Sequence, residues 1–218
     1  MFQIVPRGTT TNYQVGKLVC VARNYVDHIR ELNNAFPDEP VMFTKPTTSI
    51  IVDGEQIIIP PYSTDCHHEV ELAVLIGATG KDIPLHRAFQ HVAGYGVALD
   101  MTLRDVQSVL KAKGLPWDKA KGFDTSCPLS SFVAAEAVAD PQRLRIALRV
   151  NGALRQDATT ALMMRGIPEL IAAASAIFTL EAGDILLTGT PAGVAAVNSG
   201  DVLEAEIEQV GRLRVTVA

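Results

Sequence analysis

The chain has 218 residues, of which 48% are hydrophobic and 20% charged, and its formal net charge is −5. This composition is typical of a globular protein with a substantial core and excludes an intrinsically disordered chain. The negative charge argues against a nucleic-acid-binding protein, which needs a basic face for phosphate contacts. The longest apolar run, residues 170–178, is too short to span a bilayer, so we expect no membrane partner.

The N-terminus lacks an apolar signal segment, and the three cysteines are odd in number and widely spaced. Because their spacing does not match a zinc site, we expect reduced thiols in a cytoplasmic protein. The sequence shows no internal repeat, low-complexity tract or long linker. We therefore expect residues 1–218 to form a single domain.

The first predicted elements are a short strand and a short helix. Residues 17–22 are apolar and predict the strand. Asn24, with Asp27 three residues later, has the spacing of a capping box, which predicts a helix that ends near Leu32.

Two titratable residues share one face of this helix, because His28 and Glu31 are three positions apart. A strand over residues 41–43 is predicted next. The apolar runs 50–52 and 57–59 flank an Asp-Gly pair, which predicts a hairpin.

Residues 67–76 predict a half-buried strand that carries two glutamates. Residues two apart on a strand point to the same face, so Glu69 and Glu71 should project side by side. Adjacent carboxylates repel each other, and a divalent cation is the simplest way to neutralise them. The alternative from this stretch alone is a solvent-exposed edge with two surface glutamates.

The middle of the chain predicts a short helix over residues 84–91 and then a buried strand over 94–100 that ends in an acid. Thr102 and Asp105 form a second capping signal, which predicts a helix that runs to about Lys113.

The last third of the chain is mainly strands. Residues 144–150 alternate apolar and polar positions and are followed by Asn-Gly, the strongest short hairpin signal of the chain. Pro168 should open a helix at its first turn. A strand over 185–188 and a hairpin over 203–217 complete the chain. Since strands outnumber helices, the sequence predicts an α+β fold that is predominantly β, with antiparallel or mixed sheets.

Asp100 ends its strand next to a helix, a position where an acid can meet a cleft. With Glu69 and Glu71 it would make an all-oxygen site, and hard oxygen ligands favour Mg²⁺, Mn²⁺ or Ca²⁺ over zinc. Asp100 could equally serve as a helix cap or as a buried ion-pair partner.

Several short motifs follow one another along the chain. They are Arg23-Asn24-Tyr25 with His28 and Glu31, Phe43-Thr44-Lys45-Pro46, Glu69-Val70-Glu71, residues 100–107, residues 121–128, and Gly183-Asp184 with residues 188–194. In this order they resemble the fumarylacetoacetate hydrolase family, in particular its short acylpyruvase-like and oxaloacetate decarboxylase-like members. Ala22 and Ala195 replace glycines usual in that family, but neither change removes a chemical group.

The resemblance implies a mixed β-sandwich or β-roll of the family's C-terminal-domain type, a few short helices and a homodimer. It implies Mg²⁺ as cofactor, with Mn²⁺ or Ca²⁺ as alternatives, bound by Glu69, Glu71 and Asp100. His28 and Glu31 would activate water, and Lys121 would stabilise an oxyanion. The residues implied in substrate binding are Arg23, Asn24, Lys45, Arg104, Gln107 and Thr190.

The activity implied by the resemblance is hydrolysis of the C3–C4 bond of acylpyruvates, such as acetylpyruvate or fumarylpyruvate, through a metal-bound pyruvate enolate. Oxaloacetate decarboxylation and keto–enol tautomerisation are alternatives, because the shared intermediate needs the same residues. A metal-stabilised binding protein without catalytic activity is a rival of another class. It would not need His28, Glu31 and Lys121 together.

Three basic residues near these motifs are assigned to other roles. His67 should share the face of Glu69, whereas His68 should point away, and we expect both to serve packing or indirect support. Lys119 lies close to Lys121 in the sequence, and we expect it to be a solvated charge.

Overall fold

Residues 2–218, which the computed structural model describes, form four β-sheets around two apolar cores. In chain order the strands are β1 (Gln3–Ile4), β2 (Tyr13–Gln14), β3 (Leu18–Ala22), β4 (Val41–Lys45), β5 (Ile50–Val52), β6 (Gln56–Ile57), β7 (Cys66–His67), β8 (Val70–Ile76), β9 (Val92–Leu99), β10 (Thr102–Leu103), β11 (Cys127–Leu129), β12 (Val133–Ala134), β13 (Arg145–Val150), β14 (Ala153–Thr159), β15 (Ile185–Leu187), β16 (Ala196–Val197), β17 (Val202–Ile207) and β18 (Gly211–Val217). The α-helices are α1 (Val26–Glu31), α2 (Arg104–Ala112), α3 (Asp118–Lys121) and α4 (Ile167–Ile177). Short 3₁₀ helices cover Thr47–Ser49, Leu85–His91, Ala135–Ala137 and Thr160–Leu162.

The largest sheet has eight strands, in the order β4-β3-β15-β8-β9-β11-β5, with β12 added beside β9. Strand β15 runs parallel to β3, and β11 runs parallel to β5, while the other pairs are antiparallel. The prediction of a predominantly β, mixed architecture with short helices is therefore confirmed.

A five-stranded sheet in the order β14-β13-β17-β18-β6 packs against β8 and β9 of the larger sheet. Their facing side chains, including Leu72, Val97, Leu148 and Leu203, belong to one apolar cluster. Burial of these side chains is the main force that holds the two sheets together.

Strand β8 is buried on both faces rather than half-buried as predicted. Leu72 and Val74 face the core between the two sheets, whereas Ala73 and Leu75 face a second apolar cluster that includes Leu18. The predicted strand over 67–76 is also interrupted, because β7 leaves the large sheet to pair with β10 and β16.

The hairpin predicted over residues 50–59 is wrong. The Asp-Gly turn exists, with Gly54 at φ +86°, but β5 pairs with β11 and β6 pairs with β18. The backbone N–H and C=O of Arg214 bind Asp53 and Gly54 in this turn, at 2.7 and 2.8 Å. The turn therefore connects two sheets, because each apolar run finds its partner strand elsewhere.

Other local predictions are confirmed. The Asn151-Gly152 pair has φ +51° and +77° and joins β13 to β14 as a two-residue hairpin. Pro168 lies in the first turn of α4. Strands β17 and β18 form the C-terminal hairpin. Within residues 2–218, no helix combines the length and the apolar character that crossing a membrane requires.

The two predicted helix caps are wrong. Helix α1 begins after Tyr25, and α2 begins after Leu103, in both cases without a side-chain cap hydrogen bond. The Asn24 amide instead donates to the carbonyl oxygens of Arg165 and Thr188. The Asn24 side chain bonds to these distant carbonyl groups rather than to the start of α1, because buried backbone carbonyl groups need hydrogen-bond partners.

Candidate metal centre and active site

Strand register brings the three predicted acids to one face of the large sheet. Val70 pairs with Leu99 in the β8–β9 ladder, so Glu69 lies opposite Asp100, and the Asp100 N–H donates to the Glu69 carbonyl oxygen at 2.8 Å. Residues directly opposite each other share a face, and so do residues two apart on a strand. Glu71 therefore projects beside both carboxylates.

The carboxylate triad, defined as Glu69, Glu71 and Asp100, is almost completely buried. Each residue offers one oxygen, and these oxygens all lie within 4.8 Å of one another. An all-carboxylate donor set of this kind suits a hard divalent cation.

Three basic side chains neutralise two members of the triad. Lys121 Nζ lies 2.8 Å from Glu69 Oε2 and 2.5 Å from Asp100 Oδ2. Arg104 Nη2 pairs with Glu69 Oε1, and Lys45 Nζ lies 2.9 Å from Asp100 Oδ1. Burial alone would raise the pKa of Glu69, but the charges of Lys121 and Arg104 lower it below its usual value.

Glu71 differs from its neighbours because it takes part in none of the ion pairs found within residues 2–218. Its Oε2 accepts a hydrogen bond from the Gly189 N–H at 2.7 Å. Burial, and then the charges of Asp100 and Glu69, raise the pKa of Glu71 well above its usual value. A buried carboxylate without a counter-cation fits a site that binds a metal ion, because the ion would supply the missing positive charge.

Lys121 is the centre of this polar network, and its pKa is set by the same charges. Burial lowers the pKa of Lys121, but Asp100 and Glu69 together raise it above its ordinary value. Its Nζ also donates to Thr102 Oγ1 at 2.6 Å, and Thr102 donates to the Asp100 carbonyl oxygen at 3.0 Å. Thr102 was missed as a site residue because its spacing to Asp105 resembled a helix cap.

His28 and Glu31 form the pair that their helical spacing predicted. His28 Nδ1 lies 3.2 Å from Glu31 Oε2, and Glu31 Oε1 accepts a hydrogen bond from the Gly193 N–H at 2.9 Å. His28 is buried and lies close enough to Glu69 to influence its pKa when the ring is protonated. Because Nδ1 faces a carboxylate, we assign the ring proton to Nδ1 and the free lone pair to Nε2.

A cavity of about 240 Å³ opens beside the triad. Its lining includes Arg23, Arg104, Gln107 and Lys121, all of them predicted site residues, together with Glu69. Gln107 Oε1 accepts a hydrogen bond from Arg104 Nη1 at 2.7 Å. The structure thus brings Glu69 of the triad, Lys121 and three of the predicted substrate-binding residues to one opening.

The other three predicted substrate-binding residues do not line this cavity. The Asn24 amide is held by backbone groups, as described above. Lys45 lies fully buried beneath the triad, where its Nζ donates to Ser126 O and Oγ at 3.0 and 3.1 Å. Thr190 is buried, and its hydroxyl accepts a hydrogen bond from Gln156 Nε2 at 2.8 Å.

The two neighbouring histidines are bonded away from the triad. His67 Nε2 lies 2.9 Å from Asp65 Oδ1, and His68 Nδ1 lies 3.1 Å from Gln156 Oε1. Neither belongs to the cluster of acids that could hold a metal ion. Lys119 is exposed and lies over the ring of Tyr62 at 4.5 Å, consistent with the solvated charge that was predicted.

The mixed sheets and the buried carboxylates at the end of β8 define a class of β-rich enzymes with an all-oxygen metal site. Residues 17–218 match the sequence profile of the fumarylacetoacetate hydrolase C-terminal domain, and the chain belongs to the fumarylacetoacetate hydrolase family.

Its relatives include enzymes that act on 2-oxo acids. The chain is 52% identical over 198 residues to the oxaloacetate tautomerase YcgM of Escherichia coli, covering 90% of each protein. It is 49% identical over 200 residues to the rat mitochondrial oxaloacetate tautomerase FAHD1, covering 92% of this chain and 90% of the relative. The structure superposes, with a TM-score of 0.95 and 35% identity, on a Pseudomonas aeruginosa fumarylpyruvate hydrolase in complex with Mn²⁺ and pyruvate, covering 100% of this chain and 95% of that one.

Proposed function

We propose that the chain is a divalent-metal-dependent enzyme that interconverts the keto and enol forms of a short 2-oxo acid, with oxaloacetate as substrate. The observation that carries this proposal is the His28–Glu31 pair beside a buried carboxylate triad, which has Arg104 and Lys121 at the same cavity. The identity to two proteins named as oxaloacetate tautomerases favours this reaction over the others open to the site.

The triad would hold the cation, and Mg²⁺ or Mn²⁺ fits its oxygen donors. A bound divalent cation supplies Lewis-acid stabilisation of negative charge on the 2-oxo oxygen. Arg104 brings a positive charge to the cavity and would bind the C1 carboxylate of the substrate. Lys121 adds a second positive charge, while its three N–H donors are held by Glu69, Asp100 and Thr102. Gln107 fixes the Arg104 guanidinium and keeps its own amide N–H groups free to donate to the substrate.

His28 would move the proton. Its Nε2 takes a proton from C3 of the keto form, and Glu31 stabilises the imidazolium because it faces Nδ1. Return of that proton to the C2 oxygen gives the enol, so no atom is gained or lost. Gly193 holds Glu31 through its backbone N–H and so fixes the orientation of the imidazole.

Hydrolysis of acylpyruvates is the second candidate, favoured by the close superposition on a fumarylpyruvate hydrolase. In that reaction His28 Nε2 takes a proton from water and the water oxygen bonds to C4. The C3–C4 bond then breaks, its electron pair passes to a pyruvate enolate, and the proton held by His28 returns to C3, which gives pyruvate and a carboxylic acid. Lys121 would stabilise the oxyanion that forms on C4. Decarboxylation of oxaloacetate passes through the same pyruvate enolate and remains a third reaction open to the site.

Three assays on one preparation separate these reactions. The enol absorbance of oxaloacetate reports tautomerisation, pyruvate release from oxaloacetate reports decarboxylation, and loss of acetylpyruvate or fumarylpyruvate reports hydrolysis. Each assay is run with Mn²⁺, with Mg²⁺ and with EDTA. We expect the largest metal-dependent rate, over the uncatalysed rate, for tautomerisation.

The variant His28→Asn keeps a donor toward Glu31 but removes the base. We expect its rate to fall about 100-fold or more, with an unchanged thermal shift on metal addition. His86→Asn, at an exposed position, is the control. Full activity in His28→Asn would refute the proton-transfer role. Stabilisation by metal without turnover of any substrate would support the metal-stabilised binding protein instead.

Other expectations from the family resemblance stay proposals. We expect Mg²⁺ as the resident ion, a single domain, and a homodimer whose mass light scattering can measure. A cytoplasmic location also stays a prediction.

A further inference from the structure

Helix α2 presents a polar stripe to the cavity. Arg104, Gln107, Ser108 and Lys111 all line the opening, and their spacing of i, i+3, i+4 and i+7 places them on one helical face. Arg104 contacts the triad at one end of this stripe, whereas Lys111 lies at the other end and is exposed at the cavity mouth. The proposed function assigns no role to Lys111.

Lys111 and Arg23 meet at this mouth as two positive charges without a negative partner. Both line the cavity, and none of the ion pairs found within residues 2–218 includes either of them. The one side-chain partner of Lys111 in that part of the chain is Asn34 Oδ1, at 2.7 Å, so its ammonium group retains two free donors. Desolvation, and then the charges of Arg23 and Arg104, lower the pKa of Lys111.

The backbone supports this placement. Side chains on a helix lean toward its N-terminus, so Lys111 extends back toward Arg104 and the triad. The Cα atoms of Arg104 and Lys111 are seven residues apart, which is about 10 Å along the helix axis. A bound acid with one end at the triad could therefore place its other end near Lys111.

We propose that Lys111, assisted by Arg23, binds the distal carboxylate of the substrate and makes the site selective for 2-oxo acids with a second, terminal carboxylate. This inference rests on the proposed function, because that function places the 2-oxo acid end at the triad. It assigns Lys111 a specificity role whether the enzyme tautomerises, decarboxylates or hydrolyses its substrate.

Two stable ligands test this proposal by calorimetry on the Mn²⁺-loaded protein. The probes 2-oxoglutarate and 2-oxopentanoate have equal chain lengths and differ only in the terminal carboxylate. We expect the parent chain to bind 2-oxoglutarate about tenfold more tightly, as one charge-assisted hydrogen bond at a partly exposed site would give. Lys111→Met should remove this preference, whereas Lys111→Arg should keep most of it.

Two further variants exclude a purely structural role. Lys113→Met, on the same helix end but outside the cavity lining, should bind as the parent does. Asn34→Ala removes the partner of Lys111 without removing its charge, and it should retain the preference. Equal binding of the two acids by the parent chain, a preference that survives in Lys111→Met, or loss of the preference in Asn34→Ala would each overturn the assignment of Lys111. Failure of both acids to bind would contradict the 2-oxo acid site itself, and with it this inference.

Discussion

Replacing Glu71 by Gln removes one negative charge from the carboxylate triad and leaves its hydrogen bond in place, because the Gln carbonyl oxygen can accept from the Gly189 N–H. In the chain without metal, burial and then the charges of Asp100 and Glu69 disfavour the ionised form of Glu71, which has no ion-pair partner within residues 2–218. We therefore expect the metal-free variant to be at least as stable as the parent chain.

With metal bound, the parent chain should instead be more stable than Glu71→Gln. At a concentration 100 times its Kd, a ligand that binds only the folded state stabilises it by about 2.7 kcal/mol. For a domain of this size that corresponds to a rise in Tm of about 5–10 °C. Glu71→Gln retains two of the three carboxylates, so most of this rise should be lost.

Thermal unfolding in EDTA and in saturating Mn²⁺ or Mg²⁺ measures both effects. Glu136→Gln, at an exposed position, controls for the loss of one charge and should behave as the parent. Asp100→Asn is the contrasting variant, because it leaves Lys45 and Lys121 buried without their shared partner. It should lose about 3–5 kcal/mol without metal. A full metal-induced shift in Glu71→Gln would refute the assignment of Glu71 as a ligand.

Three further outcomes follow from the same contacts. Lys121→Met should bind the metal more tightly, as titration calorimetry would show, because it removes a cation that competes for two of the triad oxygens, and its turnover should fall. Asn24→Ala should lose about 3 kcal/mol in denaturant unfolding, since three backbone groups, one buried and two partly buried, lose their partner. Burial raises the pKa of Cys66 and Cys127 to about 12 and that of Cys20 above its usual value. A thiol reagent at pH 8 should therefore modify these cysteines only after unfolding, because the reactive thiolate is present only near and above the pKa.

Local patterns predicted those parts of the fold in which neighbouring residues decide the structure. The Asn-Gly hairpin at 151–152 follows from left-handed backbone angles that these two residues accept. The hairpin expected at Asp53-Gly54 failed because a turn signal does not state which strands will pair. That choice depends on contacts of β5 and β6 with strands far away in the chain.

In the site, too, local patterns predicted some features, while others depend on contacts between distant parts of the chain. The period of two along a strand placed Glu69 and Glu71 together, but the position of Asp100 depends on the β8–β9 register, which the sequence alone did not supply. The family resemblance supplied it instead. Lys45 was expected to bind substrate because of its motif, yet folding places it beneath the triad, where its partners are Asp100 and the carbonyl and hydroxyl oxygens of Ser126.

The charges of the site also explain why a dianionic substrate suits it. The three acids of the triad are opposed by three buried or half-buried cations, Lys45, Lys121 and Arg104, so the site without metal is close to neutral. A divalent cation would leave two positive charges in excess, in surroundings where uncompensated charge is costly. The C1 carboxylate of a substrate would offset one of these charges, and a distal carboxylate would offset the charge of Lys111 at the cavity mouth, whereas a monocarboxylate leaves Lys111 unopposed. Binding of a dicarboxylic 2-oxo acid should therefore be strongly metal-dependent, and calorimetry of 2-oxoglutarate in EDTA should detect little affinity.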